Sequence, residues 1–338
     1  MAVAFLVPRP SAPSGGHAYN ASVCAHWPGT PPDVVQLDGP WPRGDEESRA
    51  ALRDALARPD VALVDGLVGA AHPDLLEEAA GRGCRTVLLV HLPLADEGGL
   101  SKAGRRDLER RERRSVRAAR RVVTTSHTAA AGLRRRTGRD DIVAVPPGVD
   151  RAALADPHDP PVLLQVGSIG SRKNQLTTLA ALAGCLDLSW RAVFVGPVAD
   201  DGYAERFRAA LSPARATWTG ALEGPDLEAA YAGSDLLLHP ARAETWGMVV
   251  TEALAHGIPA IVGIGTGAVE ALTSGSASGL PGAVVQPDDT AGLTGALRSW
   301  LGDPELRARW RGRARTARAG LRDWHTAAAE LARVLELG

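Results

Sequence analysis

Short apolar runs alternate with helical patterns along the whole chain, and this alternation limits the folds that the chain can adopt. Runs such as 61–65 and 162–166 are apolar or nearly so, whereas segments such as 72–81 carry apolar residues at a spacing of 3.6. Apolar strands separated by helices are typical of parallel sheets covered on both faces. The predicted strands are 2–7, 34–37, 61–65, 85–90, 121–125, 141–145, 162–166, 191–195, 216–219, 235–239, 259–262 and 283–285, and the helical patterns between them include 47–57, 72–81, 173–186, 225–233 and 247–256.

The strands fall into two sets of six, which predicts an α/β protein with two Rossmann-like, doubly wound domains. A length of 338 residues suits two domains of about 150 residues each. Proline clusters at 146–148 and 156–161 predict the boundary, with a first domain over 1–155 and a second over 156–338. From residue 303 the chain is expected to be helical to its end. Ligands of such sheets bind at the carboxyl ends of the strands, which predicts a site in the cleft between the domains.

Composition excludes several classes of protein. Hydrophobic residues make up 45% and charged residues 23%, as in an ordinary globular protein. The three cysteines are far apart and form no CxxC pair, which argues against a disulfide framework or a zinc site and favours a reducing compartment. The amino terminus lacks the basic segment of a signal peptide, and no apolar run approaches the ~20 residues of a membrane span. We therefore expect a cytoplasmic protein.

The most informative motif is His-Pro-Ala-Arg-Ala-Glu-Thr-Trp-Gly at 239–247, followed by the helical pattern 247–256. Glu244 lies in the predicted turn and Glu252 in the predicted helix. A turn that leads into a helix offers backbone N–H groups to a phosphate. Carboxylates accept hydrogen bonds from hydroxyl groups, so the motif predicts a site for a phosphorylated, polyhydroxylated ligand.

Other polar residues follow predicted strands at the same edges. Arg172 and Lys173 open a predicted helix, where cations oppose the helix dipole and favour a bound anion. Gly15 and Gly16 precede a helix expected to start near Ala18; they suit either a phosphate or sugar site or an ordinary turn. His91 ends an apolar strand and is a candidate site residue or a satisfied buried histidine. His17, His127 and His239 also follow strands, and each alone is interpreted as structural. Gly263–Gly267 matches a dinucleotide motif only superficially.

Segment 101–121 carries the strongest charge asymmetry, with ten cations against three acids. Five of its arginines share one face at helical spacing. We call this face the arginine stripe: Arg106, Arg110, Arg113, Arg117 and Arg120. A solvated helix face is the first interpretation, and contact with an anionic membrane or an acidic acceptor is the alternative. No aromatic residues interleave the arginines, so nucleic acid is not expected as a partner.

These motifs resemble those of the retaining family-4 glycosyltransferases, a group that includes bacterial mannosyl-, glucosyl- and N-acetylglucosaminyltransferases of the GT-B fold. Glu244–Glu252 is similar to the E-x7-E signature of this family, with Trp246 where phenylalanine is commoner. Arg172-Lys173-Asn174 is similar to its diphosphate-binding segment, and Pro13–Gly16 to its amino-terminal glycine loop. The chain departs from the family at Ser168, where arginine is common, and Arg172 is the candidate substitute. The region of Trp324 resembles the last helix of the family, here about 321–336, which packs back on the first domain.

The resemblance implies a hexosyltransferase that moves a sugar from a UDP- or GDP-sugar to an acceptor hydroxyl, without a metal or other cofactor. Its implied catalytic residues are His91, beside the donor sugar, Glu244 on the sugar hydroxyls, and Arg172 and Lys173 on the departing diphosphate. Glu252 would bind the ribose. The other implied donor-binding residues are Gly15, Gly16, Gly167, Ser168, Gly220, Ala221, Leu222, Thr245, Trp246, Gly247, Met248 and Val249.

The sequence leaves the acceptor open among a small molecule, a glycan and a lipid-linked acceptor. The arginine stripe from Arg106 to Arg120 would allow peripheral contact with the anionic inner face of a membrane. Two other functions stay open. One is a nucleotide-sugar epimerase or hydrolase of the same fold, and the other is a non-catalytic protein that binds anionic surfaces through residues 102–121.

Overall fold

The computed structural model describes residues 3–10, 14–212, 214–276 and 279–336. The chain divides into two compact units. The first unit holds residues 1–148 and 324–338, and the second holds residues 149–323.

The described residues of the first unit form a parallel sheet of six strands, in the spatial order β2-β1-β3-β4-β5-β6. Its central strands are mostly apolar on both faces and buried apart from Arg85, because helices cover both sides. In the register, Leu63 lies between Phe5 and Val87. The strands are β1 (Val3–Pro8), β2 (Asp33–Leu37), β3 (Val61–Asp65), β4 (Arg85–Val90), β5 (Arg121–Thr124) and β6 (Ile142–Ala144).

Six helices alternate with these strands in the described part of the first unit: α1 (Gly15–Ala25), α2 (Glu46–Leu56), α3 (Gly66–Ala71), α4 (Pro73–Gly81), α5 (Lys102–Ala118) and α6 (His127–Thr137). Helix α1 begins at Gly15, three residues before the predicted start, because the Ser14 side chain accepts a hydrogen bond from the N–H of His17 and so caps the helix. Gly15 and Gly16 are therefore the first two residues of a helix.

The second unit repeats this architecture within the described residues, with a parallel sheet of order β12-β11-β10-β7-β8-β9. Its strands are β7 (Val162–Val166), β8 (Arg191–Val195), β9 (Ala216–Trp218), β10 (Leu236–His239), β11 (Ala260–Gly263) and β12 (Gly282–Val285). Its helices are α7 (Gln175–Ala183), α8 (Asp201–Ala210), α9 (Gly224–Ala232), α10 (Met248–Ala255), α11 (Ala268–Thr273), α12 (Thr290–Gly302) and α13 (Pro304–Ala317). The two parallel sheets flanked by helices confirm the α/β fold expected from the sequence.

Two boundaries differ from the sequence-based expectation. The chain is not one helix after residue 303, because a 3-10 turn at 318–320 and non-helical residues at 321–323 separate α13 from the last helix, α14 (Trp324–Glu336). Helix α14 belongs to the first unit, where the ring of Trp324 meets the edge of Tyr19 with the ring centroids 5.8 Å apart. Residues 149–155 belong to the second unit, where the N–H of buried Ala155 donates to the carbonyl of His256 at 2.9 Å.

Candidate active site

Glu244 is the centre of a charged cluster in the second unit, in the turn between β10 and α10. Its Oε2 contacts the ammonium of Lys173, lies 3.1 Å from Nε2 of His239 and lies 3.9 Å from the guanidinium of Arg172. The side chains of Glu244 and Lys173 are only 12% and 13% exposed. The turn thus holds a carboxylate and two cations together at the carboxyl end of β10, as the sequence predicts for this edge of the sheet.

Glycines fix the turn that carries Glu244. Gly247 has a φ of 86°, in the left-handed region that favours glycine, and it ends the turn as the residue before α10. Gly267 donates its N–H to the carbonyl of Glu244 at 2.8 Å. A Cβ at Gly267 would lie 1.7 Å from the carbonyl oxygen of Thr245, so only glycine allows this approach. The glycine-rich segment 263–267 therefore supports the turn from within the second unit.

The surroundings of Glu244 set its ionisation. Burial by itself raises the pKa of this carboxyl, but Lys173, the hydrogen bond with His239 and Arg172 together hold the pKa well below its usual range. Burial, and then the charge of Lys173, lower the pKa of His239. At neutral pH the cluster therefore contains a carboxylate and a neutral histidine, whose Nε2–H donates to Glu244. Here His239, interpreted from the sequence as structural, is 1% exposed and orients Glu244.

Arg172 and Lys173 lie in the loop before α7, and not in the helix itself. The helix begins only at Gln175, because Asn174 adopts a positive φ of 65°. The Asn174 amide donates to the carbonyls of Pro240 and Pro287, and the N–H of Arg242 donates to the carbonyl of Arg172 at 2.9 Å. These bonds fix the loop against the residues that follow β10 and β12. The anion that two cations near a helix start require is supplied within the chain by Glu244.

Glu252 lies eight positions further on, in α10, with a different partner. The hydroxyl of Tyr231, on α9, donates to its Oε2 at 2.6 Å. Burial raises the pKa of Glu252, and the hydrogen bond from Tyr231 only partly offsets this. The ring of Tyr231 stacks on that of His256 with the centroids 5.2 Å apart. Glu252 is therefore a positioned carboxyl with no cation in direct contact among the described residues.

The implied donor-binding residues of the second unit lie at the carboxyl ends of its strands. Gly167 and Ser168 follow β7, where the Ser168 carbonyl accepts a hydrogen bond from Gln175 at 2.9 Å. Gly220, Ala221 and Leu222 follow β9, and Thr245, Trp246, Gly247, Met248 and Val249 lead into α10. Thr245 and Trp246 are buried. No side chain of the described residues caps α10, so its first N–H groups are not paired in that way.

His91 is the centre of a separate cluster in the first unit. Its Nε2 lies 2.8 Å from Oδ1 of Asn20 and 3.5 Å from Oδ2 of Asp65, and the amide of Asn20 donates to the same Asp65 oxygen at 3.1 Å. Burial lowers the pKa of His91, against the opposing charge of Asp65. The ring is therefore neutral at neutral pH, with Nε2–H donating to Asn20. Tyr19 packs against its edge, with the centroids 5.2 Å apart.

Gly16 contributes to this cluster by its small size. A Cβ at Gly16 would lie 3.1 Å from Cδ2 of His91, so the first turn of α1 lies directly against the imidazole. Gly15 precedes it as the first helical residue. Pro13 of the predicted glycine loop lies outside the described residues.

Two residues of the cluster around His91, Asn20 and Asp65, were not identified as site residues from the sequence. Asp65 has a detectable signal, because it is an acid at the last position of β3, at the edge where ligands bind. Asn20 has none, because its role depends on how α1 lies over β4. In the second unit Tyr231 was missed for the same reason, since its contact with Glu252 depends on how α9 packs against α10.

Four arginines of the arginine stripe lie on the exposed face of α5, whereas the helix ends at Ala118, so Arg120 follows it and is not on the predicted helix face. All five arginines of the stripe are exposed, while Leu108, Glu112, Ser115 and Val116 form the buried face. Several arginines of the helix have structural contacts: Arg114 pairs with Glu77 at 2.9 Å, and Arg110 of the stripe contacts Asp107. At the end of the stripe, a depression of about 660 Å³ is lined by Arg117, Ala119, Arg120, Arg121, Thr137, Gly138, Arg139 and Asp141.

Within the described ranges, no helix is both long and apolar enough to cross a membrane. In the same ranges, no group of three or more His, Cys, Asp or Glu side chains is arranged to hold a metal ion.

Comparison with known proteins matches both units to glycosyltransferase families. Residues 2–153 match the family model described as "Glycosyltransferase Family 4", and residues 149–317 match that described as "Glycosyl transferases group 1". The sulfoquinovosyl transferase SQD2 of Arabidopsis thaliana is 32% identical over 147 residues, 44% of this chain and 28% of that protein. A GDP-mannose-dependent alpha-mannosyltransferase of Corynebacterium glutamicum is 33% identical over 133 residues, 38% of this chain and 30% of that protein. The aligned segments thus span less than a third of these relatives.

Solved structures show the same fold over the whole chain. The structure of HepE from Anabaena in complex with UDP has a TM-score of 0.76 at 17% identity and covers 100% of both chains. Sucrose-phosphate synthase from Thermosynechococcus elongatus has a TM-score of 0.78 at 17% identity, covering 100% of this chain and 99% of that one. At this identity the likeness shows the fold alone, which is GT-B. With both family models matching and together spanning residues 2–317, the chain belongs to the family-4, group 1 glycosyltransferases.

Proposed function

We propose that this chain is an enzyme that transfers a hexose-type sugar from a UDP- or GDP-sugar to an acceptor hydroxyl, with retention at the anomeric carbon and without a metal. The observation that carries the proposal is the cluster of Glu244, Lys173, Arg172 and His239 beside the uncapped start of α10. It combines an ionised hydrogen-bond acceptor with two cations and the start of a helix that no side chain caps, which are the groups that a sugar diphosphate requires.

The diphosphate would bind to the cations. Lys173 provides a point charge and Arg172 a planar fork, and both stabilise the negative charge that develops on the leaving group. The backbone N–H groups of Trp246, Gly247 and Met248, where the turn leads into α10, would add donors at the same position. This electrostatic arrangement can supply what a divalent cation supplies in other transferases, which is why we propose a reaction without a metal.

The two carboxylates would bind hydroxyl groups. Glu244, oriented by His239, accepts from the donor sugar, and Glu252, oriented by Tyr231, accepts from the ribose. The backbone of Gly220, Ala221 and Leu222 would receive the base, and Gly167 and Ser168 would lie along the diphosphate. HepE of Anabaena has been solved with UDP-glucose, and the Corynebacterium relative is named for GDP-mannose. These names support a nucleotide sugar as donor and leave two bases, uracil and guanine, to be tested.

Retention would follow from attack on the face that the diphosphate leaves. The acceptor oxygen bonds to the anomeric carbon, the bond from that carbon to the diphosphate oxygen breaks, and the acceptor proton passes to the departing diphosphate. His91, neutral and held by Asn20 and Asp65, would position a sugar hydroxyl near the anomeric carbon. Gly15 and Gly16 would allow a close approach of the α1 backbone.

The proposal is tested by incubating the protein with UDP- and GDP-glucose and with GDP-mannose, in the presence of a chelator, with and without candidate glycan, small-molecule and lipid-linked acceptors. A thermal-shift screen with the same nucleotides identifies the base first, since a ligand that binds the folded state raises its apparent stability. We expect acceptor-dependent release of the nucleoside diphosphate and a product with the α configuration.

Other outcomes would favour the other functions. Rapid isomerisation or free sugar without an acceptor would indicate an epimerase or hydrolase. Absence of binding to any nucleotide would favour the non-catalytic binder of anionic surfaces. A product of inverted configuration, or activity lost with the chelator and restored by Mg²⁺, would contradict retention or metal independence respectively.

The arginine stripe supports an anionic membrane surface as a further partner. Its arginines are exposed, and the arginine-lined depression continues the positive surface at the end of α5. The three cysteines are free, which supports a cytoplasmic location. We expect co-sedimentation with vesicles of anionic phospholipid, weakened by salt and by replacing Arg106, Arg113 and Arg117 with glutamine. Equal binding to neutral vesicles, or binding that the replacements leave unchanged, would indicate that the stripe is only solvated.

A further inference from the structure

We propose that Glu244 makes the site select an intact nucleotide sugar over the free nucleoside diphosphate, because its carboxylate competes with the diphosphate for Lys173. The inference rests on the proposed function, and it assigns to Glu244 a second role besides binding the sugar. Two anionic groups, one from the protein and one from the ligand, would use the same cation.

The competition follows from the contact in the structure. The ammonium of Lys173 contacts Oε2 of Glu244, and both side chains are almost fully buried. The stem of Lys173 packs against Gly167, where a Cβ would lie 3.2 Å from its Cδ and Cε. The main-chain carbonyl of Lys173 accepts from the Gln165 amide at 2.9 Å. Lys173 is therefore fixed at this edge of the sheet. A phosphate that binds the ammonium of Lys173 weakens the bond between Lys173 and Glu244.

Glu244 then needs replacement donors. Arg172, 3.9 Å from Glu244, would also be engaged by the diphosphate, so the donors that remain are Nε2–H of His239 at 3.1 Å and the N–H of Thr245, which donates to Oε1 at 3.2 Å. A buried carboxylate that loses a cation without a new hydrogen bond is unfavourable. The hydroxyl groups of a donor sugar supply new hydrogen bonds, whereas a nucleoside diphosphate without the sugar supplies none at this position.

The consequence concerns turnover. After transfer, the sugar leaves Glu244 while the diphosphate still holds Lys173. The return of Glu244 to Lys173 favours release of the nucleoside diphosphate, so Glu244 limits product inhibition. The selectivity for donor over product would then depend on the negative charge of this side chain and on its reach to Lys173.

The test compares Glu244→Gln with the unchanged protein in calorimetric titrations, using UDP with UDP-glucose, or GDP with GDP-mannose, whichever pair binds. Glutamine keeps the shape and removes the charge. We expect the nucleoside diphosphate to bind about tenfold more tightly (~1.4 kcal/mol) and the nucleotide sugar to bind more weakly. Glu244→Asp, which retracts the charge by one methylene, should change both affinities in the same directions by smaller factors and serves if the glutamine variant does not fold.

Asp288→Asn is the matched control. Asp288 is an exposed acid that pairs with Arg242 of the same turn at 2.6 Å, so its replacement changes the local charge without freeing Lys173. We expect little change in either affinity. Tighter binding of the diphosphate by this variant to the same extent would overturn the inference, and so would unchanged or weaker binding of the diphosphate by Glu244→Gln. If the unchanged protein binds neither ligand, the proposed function fails and the inference fails with it.

Discussion

The two glutamates of the motif, Glu244 in the turn and Glu252 in α10, differ in ionisation although they lie eight residues apart. Both carboxyl groups are buried, and burial by itself raises the pKa of each. Around Glu244, two cations and a histidine reverse the effect, and its pKa falls well below the usual range. Around Glu252 the direct partner is the neutral hydroxyl of Tyr231, Glu228 adds like charge, and the pKa stays raised.

The difference shows that contacts distant in sequence decide what each carboxyl can do. Lys173 lies 71 positions from Glu244, and Tyr231 lies 21 positions from Glu252. Because the pKa of Glu244 is well below its usual range, its carboxylate can act as a permanent hydrogen-bond acceptor and can compete for a cation. As the pH falls, a carboxyl with a raised pKa loses its charge, and with it part of its strength as an acceptor, at a higher pH than an ordinary glutamate does.

The largest effect is expected from Lys173→Met, which removes the cation that holds Glu244 ionised. Breaking one side of a buried ion pair leaves an uncompensated charge, so we expect the free energy of unfolding at pH ~7 to fall by about 3 kcal/mol. Because the pKa of Glu244 is lowered in the folded state, this contribution is present above the ordinary pKa of a glutamate and is lost as the pH falls through the folded value. Urea denaturation at neutral and acidic pH measures the change.

The matched control for this prediction is Arg242→Met in the same turn. Arg242 pairs with Asp288, and the two side chains are 41% and 73% exposed. Exposed pairs contribute less than ~1 kcal/mol, so the loss should be much smaller. Equal losses in the two variants, or a Lys173→Met loss that does not shrink in acid, would show that the pair does not control the ionisation of Glu244.

A third buried acid, Glu112 of α5, extends the comparison to the first unit. Burial raises its pKa to about 7, although its Oε1 accepts the N–H of Leu94 at 3.0 Å. A folded-state pKa above the unfolded value of ~4.3 contributes stability that is present at low pH and lost as the pH rises through 7. Glu112→Gln removes this dependence and keeps an acceptor for Leu94. Relative to the unchanged protein, we expect this variant to gain about 3 kcal/mol between pH ~4 and pH ~8.

Denaturation curves across this range test the prediction, with Glu109→Gln as the control. Glu109 lies one turn earlier on the same helix and is partly exposed. Because the charge of Glu109 adds slightly to the raised pKa of Glu112, its replacement should reduce the pH dependence of unfolding only slightly and should not remove it. Parallel stability curves for the unchanged protein and Glu112→Gln would mean that Glu112 titrates as an ordinary glutamate, and the cluster around Glu244 would then be less distinctive than the comparison implies.

The fold and part of the site were predictable because they depend on local patterns. Buried strands such as β3 and β7 are apolar except at Asp65 and Gln165, so their positions follow from the local runs of apolar residues. Parallel strands bring their carboxyl ends to one edge, which correctly placed Arg172 and Lys173 near Glu244. The helix starts were less accurate, since Asn174 and Ser14 determine them through a positive φ and a side-chain cap.

The unpredicted part consists of contacts that depend on packing between distant elements. Asn20 reaches His91 only because α1 lies against the end of β4, and nothing in the sequence around Asn20 indicates this. His239 looked structural because a buried histidine usually is, and its partner Glu244 becomes visible only in the folded turn. Asp65 is the exception, since an acid at the end of a central strand could have been recognised.

The smallest effect is expected from Tyr231→Phe, which tests the Glu252 side of the comparison. The variant removes the hydroxyl that donates to Glu252 at 2.6 Å, so we expect the pKa of Glu252 to rise further and the free energy of unfolding to fall by about 1 kcal/mol. Tyr203→Phe is the matched control, because the Tyr203 hydroxyl accepts the N–H of Leu176 at 2.8 Å, away from either glutamate. NMR titration of the glutamate side chains should show the change at Glu252 in the first variant alone. If both variants leave that pKa in place, Tyr231 supports the helix packing and not the carboxyl, and the contrast between the two glutamates depends on the cations alone.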